Sequence, residues 1–432
     1  MERKILMTQV IPGERNWTGR KKRRANKGER EMVSEDIYRK LSIRNEKKIV
    51  LLVMDGIGDI SINGKTPLKA AQIPNLDSLV KKSETGLTYP VSIGITPGSG
   101  PAHLSLFGYD PLKYDIGRGV LEALGIDFQM QKNDVAARGN FATINKEGVI
   151  TDRRAGRIPT SKNKEICEFL SSKIKKIDDV DVIIRSGKEH RFVVVFRGEG
   201  LSDSVTDTDP QQTGLKPVKC TPEDKSSDKT ANIVNRFVSE AASILKEHSP
   251  ANFTLLRGIA CYPDIPSMKQ LFKLNPCAIA TYPMYRGLAR LVGMDVLKTG
   301  SDISSEFKTL KENWDSFDFF YIHIKKTDSY GEDGNFDKKV SVIETVDTFL
   351  PQITELNPDC LVVTGDHSTP CLLKSHSWHS VPFLLHSPFC RKDPALSFSE
   401  EECSKGVLGK FEAVNAMALM LAHTLKLKKY GA

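Results

Sequence analysis

No apolar stretch in this 432-residue chain approaches the roughly eighteen residues that a membrane-spanning helix needs. The opening residues lack the apolar core of a secretory signal and carry too many acids for a typical mitochondrial transit peptide, so a cytoplasmic location is expected. The eight cysteines include no Cys-x-x-Cys or similar close pair. That excludes a short-spaced zinc site, argues against a disulfide framework and fits a reducing compartment. Internal repeats and long low-complexity tracts are also missing. Charge of one sign is scarce outside the beginning. Residues 1–48 hold fifteen Lys/Arg and seven Asp/Glu, so they account for the whole net charge of +8 and the remainder is neutral. The basic run Arg20 to Arg24 has no interleaved aromatics. It reads as part of a solvated, disordered tail over 1–45, and nucleic-acid binding is expected only through that tail, if anywhere.

What the chain does have is length enough for two domains. Lys48 to Met54 is almost wholly apolar and ends in Asp-Gly, as suits a strand buried on both faces of a mostly parallel sheet. Similar runs recur at Phe319–Ile324, Cys360–Thr364 and Pro382–His386, each ending near ionisable residues. In open α/β sheets ligands bind beyond the carboxyl ends of strands, so Asp55, Asp328 and Asp366 are expected at one edge. Helical spacing is present at Ile233–Leu245, and Phe411–Leu425 reads as a packed carboxyl-terminal helix. The motifs divide into an early pair and a late group, which predicts an inserted α/β domain over 125–265. A discontinuous catalytic domain would then occupy 46–124 and 266–432. Strands inside the insert are expected at Val180–Arg185, Phe192–Phe196 and Phe253–Arg257.

Four short stretches carry the chemistry: Asp55-Gly-Ile-Gly, Ser99-Gly-Pro-Ala-His103, Asp328-Ser-Tyr-Gly-Glu332, and Asp366-His367 followed by His376. Carboxylates and imidazoles on loops after apolar strands suit divalent cations, and a serine flanked by glycines suits attack on a phosphate. Asp328 and Glu332 lie four apart, a spacing at which two carboxylates on a helical turn can share one cation. In isolation Asp366-His367 and Gly-Ser99-Gly are more often plain structural features, and Asp328 with Glu332 is as often a helix cap.

Taken together, the order Asp … Ser-x-x-x-His … Asp-x-x-x-Glu … Asp-His … His resembles the alkaline phosphatase superfamily. More closely, the chain resembles the archaeal-type, cofactor-independent phosphoglycerate mutases from about Lys48 onward. Thr96-Pro-Gly-Ser-Gly-Pro-Ala-His-Leu104, Leu106-Phe-Gly-Tyr-Asp-Pro111, Gly117-Arg-Gly-Val-Leu-Glu-Ala-Leu-Gly125 and Asp152-Arg-Arg-Ala-Gly-Arg157 carry that resemblance. It implies an alkaline-phosphatase-like core with a central, mostly parallel sheet flanked by helices, plus the smaller insert. It implies two divalent ions, Mn2+ foremost with Mg2+, Co2+ or Zn2+ as alternatives, and no 2,3-bisphosphoglycerate. Asp55, Ser99, Asp366 and His367 would hold one ion, with Ser99 as nucleophile. Asp328, Glu332 and His376 would hold the other, and His103 would buttress the serine loop.

The implied reaction interconverts 3-phosphoglycerate and 2-phosphoglycerate through a phosphoserine. The alternative is a metal-dependent phosphatase or another phosphomutase acting on a different small phosphorylated substrate. Arginines at family motifs (Arg118, Arg138, Arg153, Arg154, Arg157, Arg191 and Arg257) are candidates for the substrate's phosphate and carboxylate. The chain departs from the pattern twice. Glu332 stands where the wider superfamily usually has histidine, which favours harder ions over Zn2+. Ala278 stands where the other mutase class has lysine, leaving Lys325, Lys326 or Arg286 to supply that cation.

Overall fold

The computed structural model describes residues 35–114 and 116–431. The basic run Arg20 to Arg24 lies outside them, but the end of the expected tail is folded: Glu35–Leu41 is a helix whose Tyr38 packs edge-on against Phe272 and whose Glu35 accepts from the Tyr114 hydroxyl. Every residue of the strand Ile49–Met54 is buried. Side chains alternate across a strand, and here both sets find a core. Ile49, Leu51 and Val53 join one hydrophobic cluster with the helices Ser99–Leu106, Pro283–Leu291 and Ala416–His423. Val50, Leu52 and Met54 join another with Pro74–Val80, Ile303–Glu312 and Phe336–Phe349. A continuous apolar run is what a strand sandwiched between two helical layers requires.

The sheet has eight strands. In spatial order they are Asp295–Val296, Pro276–Ile279, Phe319–Ile324, Ile49–Met54, Cys360–Thr364, Val381–His386, Glu84–Tyr89 and Gly409–Glu412. Only Val381–His386 runs antiparallel to its two neighbours, so the sheet is mostly parallel, as expected. In register, Met54 pairs with Ile324 and Val53 with Thr364. The residues that follow these strands (Asp55, Lys325 and Gly365-Asp366) therefore leave the sheet at one level and one edge.

Residues 134–261 build a second, six-stranded sheet, antiparallel throughout. The helices Thr160–Lys173 and Asp228–Leu245 cover one face of it and enclose a separate core. On the other face Ala136, Val193, Val195 and Ala260 meet the helix Arg118–Gly125. That helix also packs on Pro283–Leu291, so it touches both sheets' layers. The close approach needs glycine: a Cβ on Gly287 would lie 2.2 Å from the Leu121 carbonyl oxygen.

The carboxyl-terminal helix is shorter than its apolar pattern suggested. It spans Ala416–His423, while Phe411 belongs to the edge strand Gly409–Glu412 paired with Glu84–Tyr89. The apolar face of Phe411 is used against Phe383 of the sheet, not in a helical stripe. No helix among the described residues is long and apolar enough to cross a membrane.

Candidate active site

Asp55 leaves its strand fully buried. Its Oδ2 lies 3.0 Å from Lys325 Nζ and 3.2 Å from His323 Nε2, and it accepts from the Tyr285 hydroxyl. Burial alone would lift this carboxyl. Lys325, then His323 and His367, outweigh burial and hold it well below the usual carboxylate range. Asp366 accepts from the Gly56 main-chain N–H at 3.0 Å. Burial and Asp55 push its carboxyl up, but His367 and His103 bring it below the ordinary value. One ligand atom each from Asp55, Asp366 and His367 lies within 4.8 Å of the others.

Ser99 opens the helix Ser99–Leu106, with Gly98 extended at the cap. Its Oγ therefore stands at the positive end of the helix dipole, and it lies 3.2 Å from His367 Nε2. His103, one turn on, is fully buried; its Nδ1 is 2.9 Å from the Ser99 carbonyl oxygen and 3.2 Å from Asp366 Oδ2. It thus ties the serine turn to Asp366.

A second cluster holds Asp328, His367 and His376, again within 4.8 Å. His367 is common to both clusters. His376 has Nδ1 3.0 Å from the Pro97 carbonyl oxygen and Nε2 3.5 Å from Asp328 Oδ1, and its ring stacks on His367 at 3.6 Å between centroids. Asp328 lies in the first turn of the helix Lys326–Glu332, and Lys325 Nζ is 2.5 Å from its Oδ2. Glu332 ends that helix with its side chain exposed and belongs to neither cluster.

The arginines divide into two groups. Arg138 and Arg257 pair across adjacent strands, Arg191 lies on the strand at Arg138's other side, and Arg118 begins the helix packed beneath. Burial, then repulsion from Arg191, Arg118 and Arg257 against a pull from Glu122, drives the Arg138 guanidinium down to about 10. The Nε atoms of Arg138, Arg191 and Arg257 are buried without a hydrogen-bond partner, although Arg257 Nε lies 3.7 Å from Asp209 Oδ2 and its Nη2 donates to Gln211 at 2.8 Å. Cations so crowded and so poorly satisfied are suited to an anion.

The rest are differently placed. Arg153 forks onto Asp209 at 2.9 and 2.6 Å, and Arg286 forks onto Asp127 at 3.1 Å through each oxygen. Arg154 and Arg157 are exposed. Tyr282 connects the arginine group to the carboxylates: its hydroxyl is 3.5 Å from Arg191 Nη1, and Lys325 Nζ lies 5.7 Å from its ring centroid.

A family model described as 2,3-bisphosphoglycerate-independent phosphoglycerate mutase matches residues 80–252. A probable enzyme of that description from Thermotoga maritima is 56% identical over 398 residues, 92% of this chain and 99% of the relative. Its counterpart from Aquifex aeolicus is 53% identical over 92% of this chain and 100% of the relative. The solved cofactor-independent phosphoglycerate mutase of Thermoplasma acidophilum superposes with TM-score 0.69 at 33% identity, covering 88% of this chain and 100% of that one. The chain belongs to this mutase family. A solved protein of Pyrococcus horikoshii shares the fold at TM-score 0.77 and 29% identity, over 90% of this chain and 100% of that one. Membership implies turnover without 2,3-bisphosphoglycerate and with divalent metal.

The donor set of this mutase-family chain fits such ions. Asp55 Oδ1 and Asp366 Oδ2 are buried and face only imidazole nitrogens, at 3.4 Å for the first and 3.1 and 3.2 Å for the second, none in hydrogen-bond geometry, a costly state for anionic oxygens unless a cation meets them. The imidazoles are oriented from behind: His367 has Nδ1 3.0 Å from the Thr369 hydroxyl, which leaves Nε2 facing the carboxylates.

Sequence reasoning missed several residues here. Tyr285, stacked 3.7 Å from the His323 ring, hydrogen-bonds Asp55. His323 was readable as the one imidazole in the otherwise apolar and aromatic run Phe319–Ile324. Thr369 donates to Asp328 Oδ1 at 2.6 Å, and no local pattern marks it.

Proposed function

We propose that this chain interconverts 3-phosphoglycerate and 2-phosphoglycerate by carrying the phosphoryl group on Ser99. The observation that carries the reading is the position of Ser99 Oγ, 3.2 Å from the histidine shared by two carboxylate–imidazole clusters. Asp55, Asp366, His367 and Ser99 would hold one divalent ion. Asp328 and His376, with Glu332 one helical turn on, would hold the other, and the oxygen-rich set favours Mn2+. When bound, the two ions lower the pKa of the serine hydroxyl and neutralise the phosphoryl oxygens.

Ser99 Oγ attacks phosphorus in line, its proton leaves, and the bond from phosphorus to the glycerate oxygen breaks. The alkoxide so released takes up a proton. The glycerate stays in the cleft, its carboxylate held by the Arg118, Arg138, Arg191 and Arg257 group. It turns, and its other hydroxyl gives up a proton and attacks the phosphoserine, regenerating Ser99. The proposed insert, 125–265, supplies three of these arginines and excludes water that would otherwise hydrolyse the phosphoserine. Lys325, bridging Asp55 and Asp328, holds the two clusters together and presents its charge beside Tyr282. Arg153 and Arg286, each committed to a carboxylate, shape the walls. Arg154 and Arg157, exposed at the rim, would meet the substrate on closure. The partner is this small phosphorylated acid, and the expected location is the cytoplasm.

Ser99→Ala tests the assignment. We expect loss of mutase turnover by about a thousandfold or more with an unchanged circular dichroism spectrum, and loss of the phosphorylated Ser99 peptide from acid-quenched digests. Retained turnover would sink the nucleophile assignment.

A further inference from the structure

Lys339 is an ammonium cut off from water. It lies on the helix Phe336–Phe349 in line with Val342, Ile343 and Val346, the spacing of an apolar stripe. A lysine is rarely buried there unless its charge is met. Its Nζ donates to the carbonyl oxygens of Gly56 at 2.8 Å and Thr369 at 2.9 Å and to Asp59 Oδ2 at 2.8 Å, with Gly58 O at 3.4 Å.

These acceptors come from two loops. Gly56 to Asp59 directly follows Asp55, and Thr369 directly follows Asp366-His367-Ser368. The lysine's own helix comes immediately after the helix Lys326–Glu332 that carries Asp328. Asp59 also spans the loops, accepting from the Cys371 N–H at 3.2 and 3.1 Å. Thr369 relays the hold outward. Its hydroxyl donates to Asp328 Oδ1 at 2.6 Å and lies 3.0 Å from His367 Nδ1. One ammonium therefore gathers the three segments that carry Asp55, Asp328, Asp366 and His367.

We propose that Lys339 is a positioning residue that sets the spacing of the two carboxylate–imidazole clusters, and so their affinity for divalent ions. The inference rests on the reading of those clusters as the metal site. A brace that served stability alone would change the unfolding midpoint and leave ion affinity where it was.

The test is Mn2+ titration calorimetry on metal-stripped protein: wild type, Lys339→Met, Lys339→Ala, and the pair Lys339→Met with Asp59→Asn. The pair removes the ammonium together with its carboxylate partner, so it carries the comparison if the single variants fail to fold. We expect Mn2+ affinity to fall at least about tenfold in each folded variant. We also expect methylammonium, which can occupy the four-oxygen cage, to restore affinity to Lys339→Ala, while tetramethylammonium at equal ionic strength does not. Folded variants that bind Mn2+ within twofold of wild type would overturn the proposal, as would a Lys339→Ala protein indifferent to methylammonium. A wild type that binds no Mn2+ would instead overturn the metal-site reading on which the proposal stands.

Discussion

Lys325 reaches from the end of its strand to Asp55, with Nζ 3.0 Å from Oδ2. The same ammonium is 2.5 Å from Asp328 Oδ2, so one cation joins the carboxylates of both clusters. Burial works against its charge, but Asp55 and Asp328 more than compensate and raise its pKa. Replacing it by methionine leaves two buried carboxylates uncompensated, a loss of about 3–5 kcal/mol where one partner of a buried pair is removed. We expect Lys325→Met to lose stability in metal-free buffer and to recover most of it when Mn2+ is added. The increase in urea midpoint on adding Mn2+ should therefore be larger in the variant than in wild type. An equal increase in both proteins would show that Lys325 does not share charge compensation with the ions.

The arginines give a contrast within one protein. Arg138 is crowded by like charges and its Nε has no partner, whereas Arg286 has a carboxylate partner, Asp127, which it shares with Arg290. Arg138→Met should raise KM for 3-phosphoglycerate at least about tenfold, the scale of a lost charge-assisted hydrogen bond. The same change should raise the substrate-free melting temperature, because it relieves repulsion. Arg286→Met should leave KM within about threefold, as expected of a partly exposed ion pair. Steady-state kinetics with thermal melts separates the two, and equal KM effects would contradict the division.

Glu306 offers a pH test away from the chemistry. Burial, then Asp302, lifts its carboxyl to about 8, with Lys326 opposing. The folded protein therefore keeps a proton that the unfolded chain releases above the ordinary glutamate value. Its contribution is complete below that value and is lost as pH rises toward 8. Glu306→Gln, which cannot ionise, should match wild type near pH 5 and exceed it in urea midpoint near pH 9. Identical pH dependence in the two proteins would refute the shift.

Much of this was legible in the chain because strand ends announce themselves. Ile49–Met54 is apolar throughout and Cys360–Thr364 is apolar up to its closing threonine, so the first ionisable residues after them, Asp55 and Asp366, had to lie at a sheet edge. His376 could be read from its distance to Asp366-His367, and Asp328 from the acid-rich turn after Phe319–Ile324. Side-chain direction was less accessible. Glu332 has ligand spacing from Asp328 and burial, then Asp328, raises its carboxyl, yet it stands outside both groups of converging ligand atoms. Arg286 reads as a free cation until the fold brings Asp127 to it. Tyr285 and Thr369 act through contacts far apart in sequence, between residues 285 and 55 and between 369 and 328. Lys339 did leave a signal, a charge on an apolar helical stripe. Phe411 misled because apolar residues of a short edge strand ran on into the pattern of the following helix.

The central claim is phosphoryl transfer within one substrate by way of Ser99. Its most direct test is a coupled assay on metal-stripped protein given 3-phosphoglycerate, with Mn2+, Mg2+, Co2+ or Zn2+ restored in turn and no 2,3-bisphosphoglycerate. Free phosphate is followed in the same samples. The account predicts metal-dependent formation of 2-phosphoglycerate, strongest with Mn2+, and little release of phosphate. Phosphate release without 2-phosphoglycerate would contradict it and mark a phosphatase.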